Sequence, residues 1–305
     1  MVKPAYVAVD WGTSSFRLWL IGDDGAVLAE RRSGEGMTTA ASIGFGSVLA
    51  SHIEALSAPA GLPVIVCGMA GARQGWVEAG YIDVPAALSS IPFAAVRVPG
   101  TAADIRILPG LAQRDRAHPD VMRGEETQLL GALAELSDGH SLVCMPGTHS
   151  KWVHVSDGFV TRFSTFMTGE LFDAIAKHTI LSHSIGDAGA IDGNDGAFRQ
   201  AVTEVVRNPS AATNLLFGAR SGALLHGLSP ADAKALISGT LIGLEIAGAL
   251  DAAEPDAPVT LVSSGPLGAL YESALDSAGV EPTIVDADAA VRAGLAVAAH
   301  ALWAV

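Results

Sequence analysis

Cysteine is nearly absent from this chain: among 305 residues there are two, Cys67 and Cys144. Each lies inside an apolar, strand-like run, PVIVCG and SLVCMP, which predicts buried free thiols in a reducing compartment rather than a disulfide framework. Positive charge is scarce as well. Eighteen Lys and Arg face 32 Asp and Glu, and the net charge of -14 argues against a nucleic-acid-binding surface. An anionic small molecule stays admissible, because a local cluster of donors can hold an anion on an acidic protein. No uncharged apolar run approaches the roughly 20 residues of a bilayer span, so no membrane partner is expected. The N-terminus lacks a secretory pattern, since only a short apolar stretch separates Lys3-Pro4 from Asp10, and a cytoplasmic location is expected. The histidines show no metal-ligand grouping; His178 and His183 are five apart, not the three or four that align on one helix face. What remains is a chain half hydrophobic and only 16% charged, long enough for one large or two medium domains with substantial cores.

The hydrophobic pattern predicts a mixed α/β protein. Residues 5–10, 17–22 and 26–32 form three strands joined by Gly-containing turns. A helix is expected over 40–57, a strand at 63–68, a strand near 104–108 and a helix from about 124 to 137. The opening pattern then returns: strands at 141–145, 151–155 and 159–166, with an Asp157-Gly158 turn. Most of the remainder reads as helix (169–182, 195–207, 210–226, 230–254), interrupted by strands at 258–263 and 282–286, each followed by another helix. The two openings, DWGTSSFRLWLIGDDGAVLAE and MPGTHSKWVHVSDGFVTRF, share a Gly-Thr turn, a basic residue, an alternating strand and an Asp-Gly turn. Gly12 to Gly25 spans 13 positions and Gly147 to Gly158 spans 11. A unit repeated about 135 residues apart predicts two related domains.

A Gly-Thr turn lets backbone N–H groups and hydroxyls approach phosphate oxygens unobstructed. One such loop from each domain could grip a nucleotide triphosphate across a cleft: Gly12, Thr13 and Ser14 with Arg17 from the first, Gly147, Thr148, His149 and Lys151 from the second. Asp10, ending the first strand, could orient a hydrated Mg²⁺, which keeps several waters and takes one or two carboxylates. A turn-initiating Asp bonded to its own loop accounts for it equally well.

The strings DWGTSSFR, GMAGARQGW, ILPGL, VMRGEETQLLGA, MPGTHSKWV and TFMTGEL occur in this order. The two-loop plan resembles the actin/hexokinase/Hsp70 ATPase superfamily, and the strings together resemble the 2-dehydro-3-deoxygalactonokinase family from about residue 5 to the C-terminus. That resemblance implies two ribonuclease H-like domains, each a mixed sheet opening with an antiparallel three-strand unit and surrounded by helices, with a cleft between them. Residues 1–138 would carry the first phosphate loop and the sugar-acid site. Residues 139–305 would carry the second phosphate loop and an adenosine loop at Ser264, Gly265 and Leu267, with the last helix free to pack back across the interface. The implied reaction moves the γ-phosphoryl group of ATP, with Mg²⁺, to the 6-hydroxyl of 2-dehydro-3-deoxy-D-galactonate in galactonate catabolism. One departure is visible, Gly71-Ala-Arg73, where members often have Gly-Ser and a small polar residue; it leaves open what Arg73 contacts.

Catalysis needs a proton acceptor for the attacking hydroxyl. Glu125 and Glu126 resemble the glutamate pair of the exopolyphosphatase branch, although acids in a first helical turn are also favoured by the helix dipole alone. Successive residues point about 100° apart, so one should be structural and one catalytic, with Glu126 preferred. Arg123 suits the substrate carboxylate, with Arg17, Arg73 and Arg162 as other candidates. Thr168 either touches substrate or caps a helix. Trp11 and Trp76 either wall the sugar pocket or pack an interface. A kinase of another sugar, a phosphohydrolase of the exopolyphosphatase type and an actin-like filament former remain alternatives, and a homodimer is left open.

Overall fold

The computed structural model describes residues 2–136, 139–254 and 256–305. The expected domain boundary at 138 and the predicted helix end at 137 lie outside the described residues. The chain divides into two compact units, one comprising Met1–Leu136, Asp157–Arg162 and Ala287–Val305, the other Ser137–Ser156 and Phe163–Asp286. The final helix, which the sequence reading left free to pack back, clusters with the first unit.

In the first unit, strand Pro4–Trp11 pairs antiparallel with Phe16–Gly22, which pairs antiparallel with Val27–Ser33. On its other side Pro4–Trp11 takes Val64–Gly68 as a parallel neighbour, and that strand takes Ile105–Ile107. The central strands are apolar without alternation because both faces are covered. Val7, Val9, Trp11, Phe16, Leu18, Phe45, Val64 and Val66 form one buried cluster on a single side. Strand Val27–Ser33 reads VLAERRS and is nowhere fully buried, as befits an edge.

The predicted helix over 40–57 is two helices, Met37–Ile43 and Phe45–Ala55. Between them Gly44 has φ +98°, a backbone angle that other residues rarely adopt, and this breaks the period. A small sheet of Asp120–Met122, Gly110–Gln113 and Tyr81–Asp83 was not foreseen; strands of three or four residues carry too few positions to show alternation. Helix Glu125–Ala132 packs against the last helix, Ala287–Trp303, at backbone contact. A Cβ on Gly131 would lie 1.9 Å from the Ala290 carbonyl oxygen, and one on Gly294 would lie 1.9 Å from that of Thr127.

The second unit repeats the scheme. Its sheet runs Phe159–Phe166, Ser150–Ser156, His140–Met145, Val259–Ser263, Thr283–Asp286, with His140–Met145 antiparallel to Ser150–Ser156 and parallel to Val259–Ser263. Helix Pro230–Asp251 is long and apolar enough, by length and composition, to cross a membrane. Here it is a core helix: Ala235, Ile242 and Ile246 pack among Leu142, Phe198, Val202 and Leu261. Both cysteines are buried and free.

Candidate active site

The first unit brings Asp10, the first Gly-Thr turn and the glutamate pair together around two glycines. Asp10 faces Arg17 in the register of the first two strands, and its Oδ2 accepts from Arg17 Nε at 3.0 Å and from Nη2. Arg17 Nη1 donates to Asp288 in the first turn of the last helix, and Arg32 Nη2 donates to the same carboxylate at 2.9 Å. Burial works against the Arg17 charge, but Asp10 and Asp288 outweigh it and hold its proton more tightly. Arg17, expected to meet phosphate, is therefore committed to two carboxylates. Gly12, Thr13 and Ser14 form a turn closed by Gly12 N–H donating to the Ser15 carbonyl at 2.9 Å. Met37 and Thr38 at the start of the next helix donate to the Gly12 and Thr13 carbonyls at 2.9 and 3.1 Å. The Thr13 and Ser14 side chains stay exposed.

Gly68 ends the strand beside Asp10, with φ +87°. A Cβ there would lie 2.6 Å from the Trp11 carbonyl and 3.5 Å from Asp10 Oδ1, and one on Gly124 would lie 3.5 Å from Gly68 Cα. The two glycines let the end of that strand and the turn before the glutamate pair approach each other at backbone contact. Asp10, with Oδ2 on Arg17 and Oδ1 3.7 Å from Cys67 Sγ, is the carboxylate here that could face a hydrated Mg²⁺, whose other ligands would be water and the nucleotide's own phosphates; among the described residues no group of three His, Cys, Asp or Glu gathers into a protein-only cage.

Glu125 and Glu126 open their helix just beyond Gly124. Glu125 is half-buried, its Oε2 accepting from the Arg123 N–H at 3.1 Å. Glu126 is sealed, 0% exposed, with Oε2 accepting from Gly124 N–H at 2.7 Å and Oε1 from Thr127 Oγ1 at 3.1 Å. Burial, and then the neighbouring Glu125 charge, push its pKa up to about 8. The same burial, with Asp10 and Glu126 nearby, pushes the Cys67 thiol well up.

Arg123 Nη2 donates to the Ala79 carbonyl at 2.7 Å and its guanidinium lies 4.5 Å from the Tyr81 ring centroid. Its Nε and Nη1 are buried with no partner, an unmet demand for an anion or carbonyl. Arg73 is exposed at the surface. Trp11 is 0% exposed, packed on Phe16, Phe45 and Trp76 with its indole N–H on the Glu35 carbonyl, so it belongs to the core and walls no pocket. Trp76 is half-buried and stacks on Phe45.

In the second unit, Gly147 and Thr148 rest against the start of helix Thr168–His178. Gly169 makes this approach feasible, since a Cβ there would lie 2.7 Å from the Gly147 carbonyl and 2.8 Å from Thr148 Cα. Glu170 N–H donates to the Thr148 carbonyl at 3.1 Å, and the Glu170 carboxylate meets His149 Nε2 at 2.5 Å. His149 is exposed, whereas Lys151 is buried and its Nζ reaches back to the His149 carbonyl at 3.2 Å. Lys151 thus braces the loop from beneath. Thr168 is buried and bonds to Glu245.

A cavity of about 160 Å³ opens between these segments and the later loop, lined by Gly147, Thr168, Gly169, Leu241, Leu267 and Tyr271 among others. Residues expected separately for phosphate (Gly147), substrate (Thr168) and adenosine (Leu267) share this one wall. Ser264 Oγ donates to Asp286 at 2.8 Å, and exposed Gly265 has φ +68° where the helix Gly265–Ser277 begins. Sequence reasoning missed Glu245 and Asp288. Glu245 left a signal, an acid inside the apolar string IGLEIAGAL, while Asp288 looks like any acid in a first helical turn.

Component A of the Acidaminococcus fermentans (R)-2-hydroxyglutaryl-CoA dehydratase superposes with a TM-score of 0.52 at 14% identity, over 97% of this chain and 98% of that one, a likeness of fold alone. That likeness carries no activity; the class of protein, a carbohydrate kinase, is set by the closer relatives. A Rhizobium meliloti (strain 1021) protein named "Probable 2-dehydro-3-deoxygalactonokinase" is 65% identical over 98% of this chain and 97% of its own. The Escherichia coli (strain K12) 2-dehydro-3-deoxygalactonokinase is 35% identical over 97% and 98%. A crystal structure of a candidate 2-dehydro-3-deoxygalactonokinase from Sinorhizobium meliloti superposes with a TM-score of 0.95 at 64% identity, over 98% of this chain and all of that one. The chain belongs to the 2-keto-3-deoxy-galactonokinase family, whose model matches residues 10–298.

Proposed function

We propose that this kinase transfers the γ-phosphoryl group of ATP to the 6-hydroxyl of 2-dehydro-3-deoxy-D-galactonate, within galactonate catabolism. The observation that carries the reading is the grouping of Asp10, Gly68, Gly124 and Glu126 in the first unit: a strand-end carboxylate and a buried acid of raised proton affinity stand on either side of two glycines in contact with each other. In the reaction O6 forms its bond to the γ-phosphorus, the bond to the ADP oxygen breaks, and the O6 proton passes to a carboxylate.

Glu126 is our choice for that carboxylate. Its proton affinity, about 8, lies near working pH, where a general base is most effective. Glu125 keeps the neighbouring Arg123 backbone in place and raises the Glu126 proton affinity by its charge. Arg123, with two unpartnered nitrogens, takes the sugar-acid carboxylate. Asp10 would hold Mg²⁺, and the ion would neutralise phosphate charge when bound. The first loop offers the Gly12–Ser14 turn to phosphate oxygens, the second offers Gly147, Thr148 and His149, and Leu267 with its apolar neighbours offers a surface to adenosine.

The test is an ADP-release assay that offers both C4-epimeric 2-keto-3-deoxy acids, galactonate, glucose and glycerol. A selective response to the galactonate-derived keto acid is expected. Preference for glucose or glycerol would move the chain elsewhere among sugar kinases, and phosphate release without any acceptor would speak for a hydrolase.

A further inference from the structure

Helix Pro230–Asp251 carries one acid on its buried side, Glu245, 2% exposed. A carboxylate in such a place is stable only when its lone pairs are taken. Here they are. Trp152 Nε1 donates to Oε1 at 2.8 Å, Tyr271 OH donates to Oε2 at 2.7 Å, and the Thr168 hydroxyl also bonds to the carboxylate. Ser150 Oγ lies 2.8 Å from the Tyr271 hydroxyl and extends the network.

The origins of these partners matter more than their number. Ser150 and Trp152 belong to the strand that leaves the Gly147-Thr148 turn. Thr168 is the first residue of the helix that docks on that turn. Tyr271 stands on the helix that follows Ser264 and Gly265. Gly147, Thr168 and Tyr271 also line the cavity of about 160 Å³. One carboxylate thus joins, from below, every segment of the second unit that the preceding reading assigns to ATP.

We propose that Glu245 is a positioning residue for the nucleotide, holding the second phosphate turn, the start of the Thr168 helix and the adenosine-side helix in one fixed arrangement. It touches no substrate. Its contribution is to keep three chain segments from relaxing independently, so that the turn's N–H groups and the apolar wall are pre-arranged before ATP arrives. The proposal rests on the assignment of ATP to this unit.

The experiment titrates a non-hydrolysable ATP analogue into the wild-type protein and into Glu245→Gln and Tyr271→Phe by calorimetry. It also measures KM for ATP and for the sugar acid. Gln keeps the shape of the carboxylate but turns one acceptor into a donor, so Trp152 keeps its acceptor only if the Tyr271 hydroxyl turns its proton to Ser150, and the network is rearranged. Analogue affinity is expected to fall at least tenfold in Glu245→Gln, with KM for ATP rising in step and KM for the sugar acid unchanged within twofold. Tyr271→Phe, which removes one hydroxyl, should show a smaller change in the same direction, and it decides the matter if Glu245→Gln does not fold. Folded variants that bind the analogue like wild type would overturn the proposal. So would equal losses for both substrates accompanied by a lowered melting temperature, because these report a structural role only. A wild-type protein that binds no nucleotide would remove the ATP assignment itself, and this inference with it.

Discussion

Arg17 lies directly across from Asp10 on the neighbouring strand, Nε 3.0 Å from Oδ2, while its far nitrogen reaches Asp288. The cation is thus shared between the strand-end carboxylate and the last helix. Sharing matters because a guanidinium left with one partner in a half-buried position would either overbind that partner or lie unpaired. Asp288, itself drawn below the usual carboxylate range by Arg32 and Arg17 against the effect of burial, leaves Asp10 with only part of the Arg17 charge.

Replacing Asp10 tests its role at the metal. Asp10→Asn preserves volume, and Arg17 keeps its bond to Asp288, so the fold should survive. Turnover at matched Mg²⁺ should fall by at least about 10²-fold, the scale of losing a catalytic carboxylate. Steady-state kinetics with a circular-dichroism check on folding measures this, and wild-type turnover would end the assignment.

Glu126 links activity and stability to pH with opposite signs. Its folded pKa, about 8, lies above the unfolded value of 4.5, so the native state binds the extra proton. Its stabilising contribution is complete below about pH 4.5 and is lost as pH rises through 8, with a slope of at most about 1.4 kcal/mol per pH unit. As the proposed base it must be ionised, so kcat should rise over the same upper range. Glu126→Gln should remove that stability slope and abolish turnover, whereas Glu125→Gln should lower the apparent pKa of the kcat profile, because it removes a neighbouring negative charge. Urea melts and kcat from pH 5 to 9 check both.

Arg123 supplies a prediction about the acceptor alone. Its unpartnered Nε and Nη1 and its seat on Tyr81 leave it able to donate to an anion from more than one nitrogen. Arg123→Lys keeps the charge but loses the planar guanidinium and its Nε–H, so KM for the sugar acid should rise at least about tenfold while KM for ATP stays put. Equal KM for the sugar acid in the variant would transfer the carboxylate to another group.

Much of this was legible from residue order. Strands written as apolar runs between glycine turns, such as YVAVDWG and SLVCMPG, fall within a residue or two of their observed ends because period and punctuation agree. Gly44 was harder to read: a glycine inside a helical period is tolerated often enough that the break at +98° is visible only in the backbone. Trp11 misled because a glycine-rich neighbourhood suggests a surface loop, yet its ring turns inward from the last strand position onto Phe16 and Phe45. Glu245 and Thr168 lie 77 residues apart in sequence, and no local pattern announces a contact that tertiary packing alone creates.

The last prediction concerns the contact that holds the glutamate pair. Helix Glu125–Ala132 meets the final helix through Gly131 and Gly294, and each added Cβ would stand 1.9 Å from a carbonyl oxygen. Ala is normally the better helix former, by up to about 1 kcal/mol. Here backbone faces backbone, no side chain can swing aside, and overpacking of about 1–3 kcal/mol should outweigh the propensity gain. Gly294→Ala presses on the Thr127 carbonyl, one residue from Glu126, so kcat should fall along with the melting temperature. Gly218→Ala is the matched control: it lies within helix Ala212–His226 and its Cβ would meet nothing within 4 Å. That variant should be neutral or more stable by up to about 1 kcal/mol. Thermal melts of the pair decide the point, and a Gly294→Ala protein as stable as Gly218→Ala would mean that the two helices do not pack this closely.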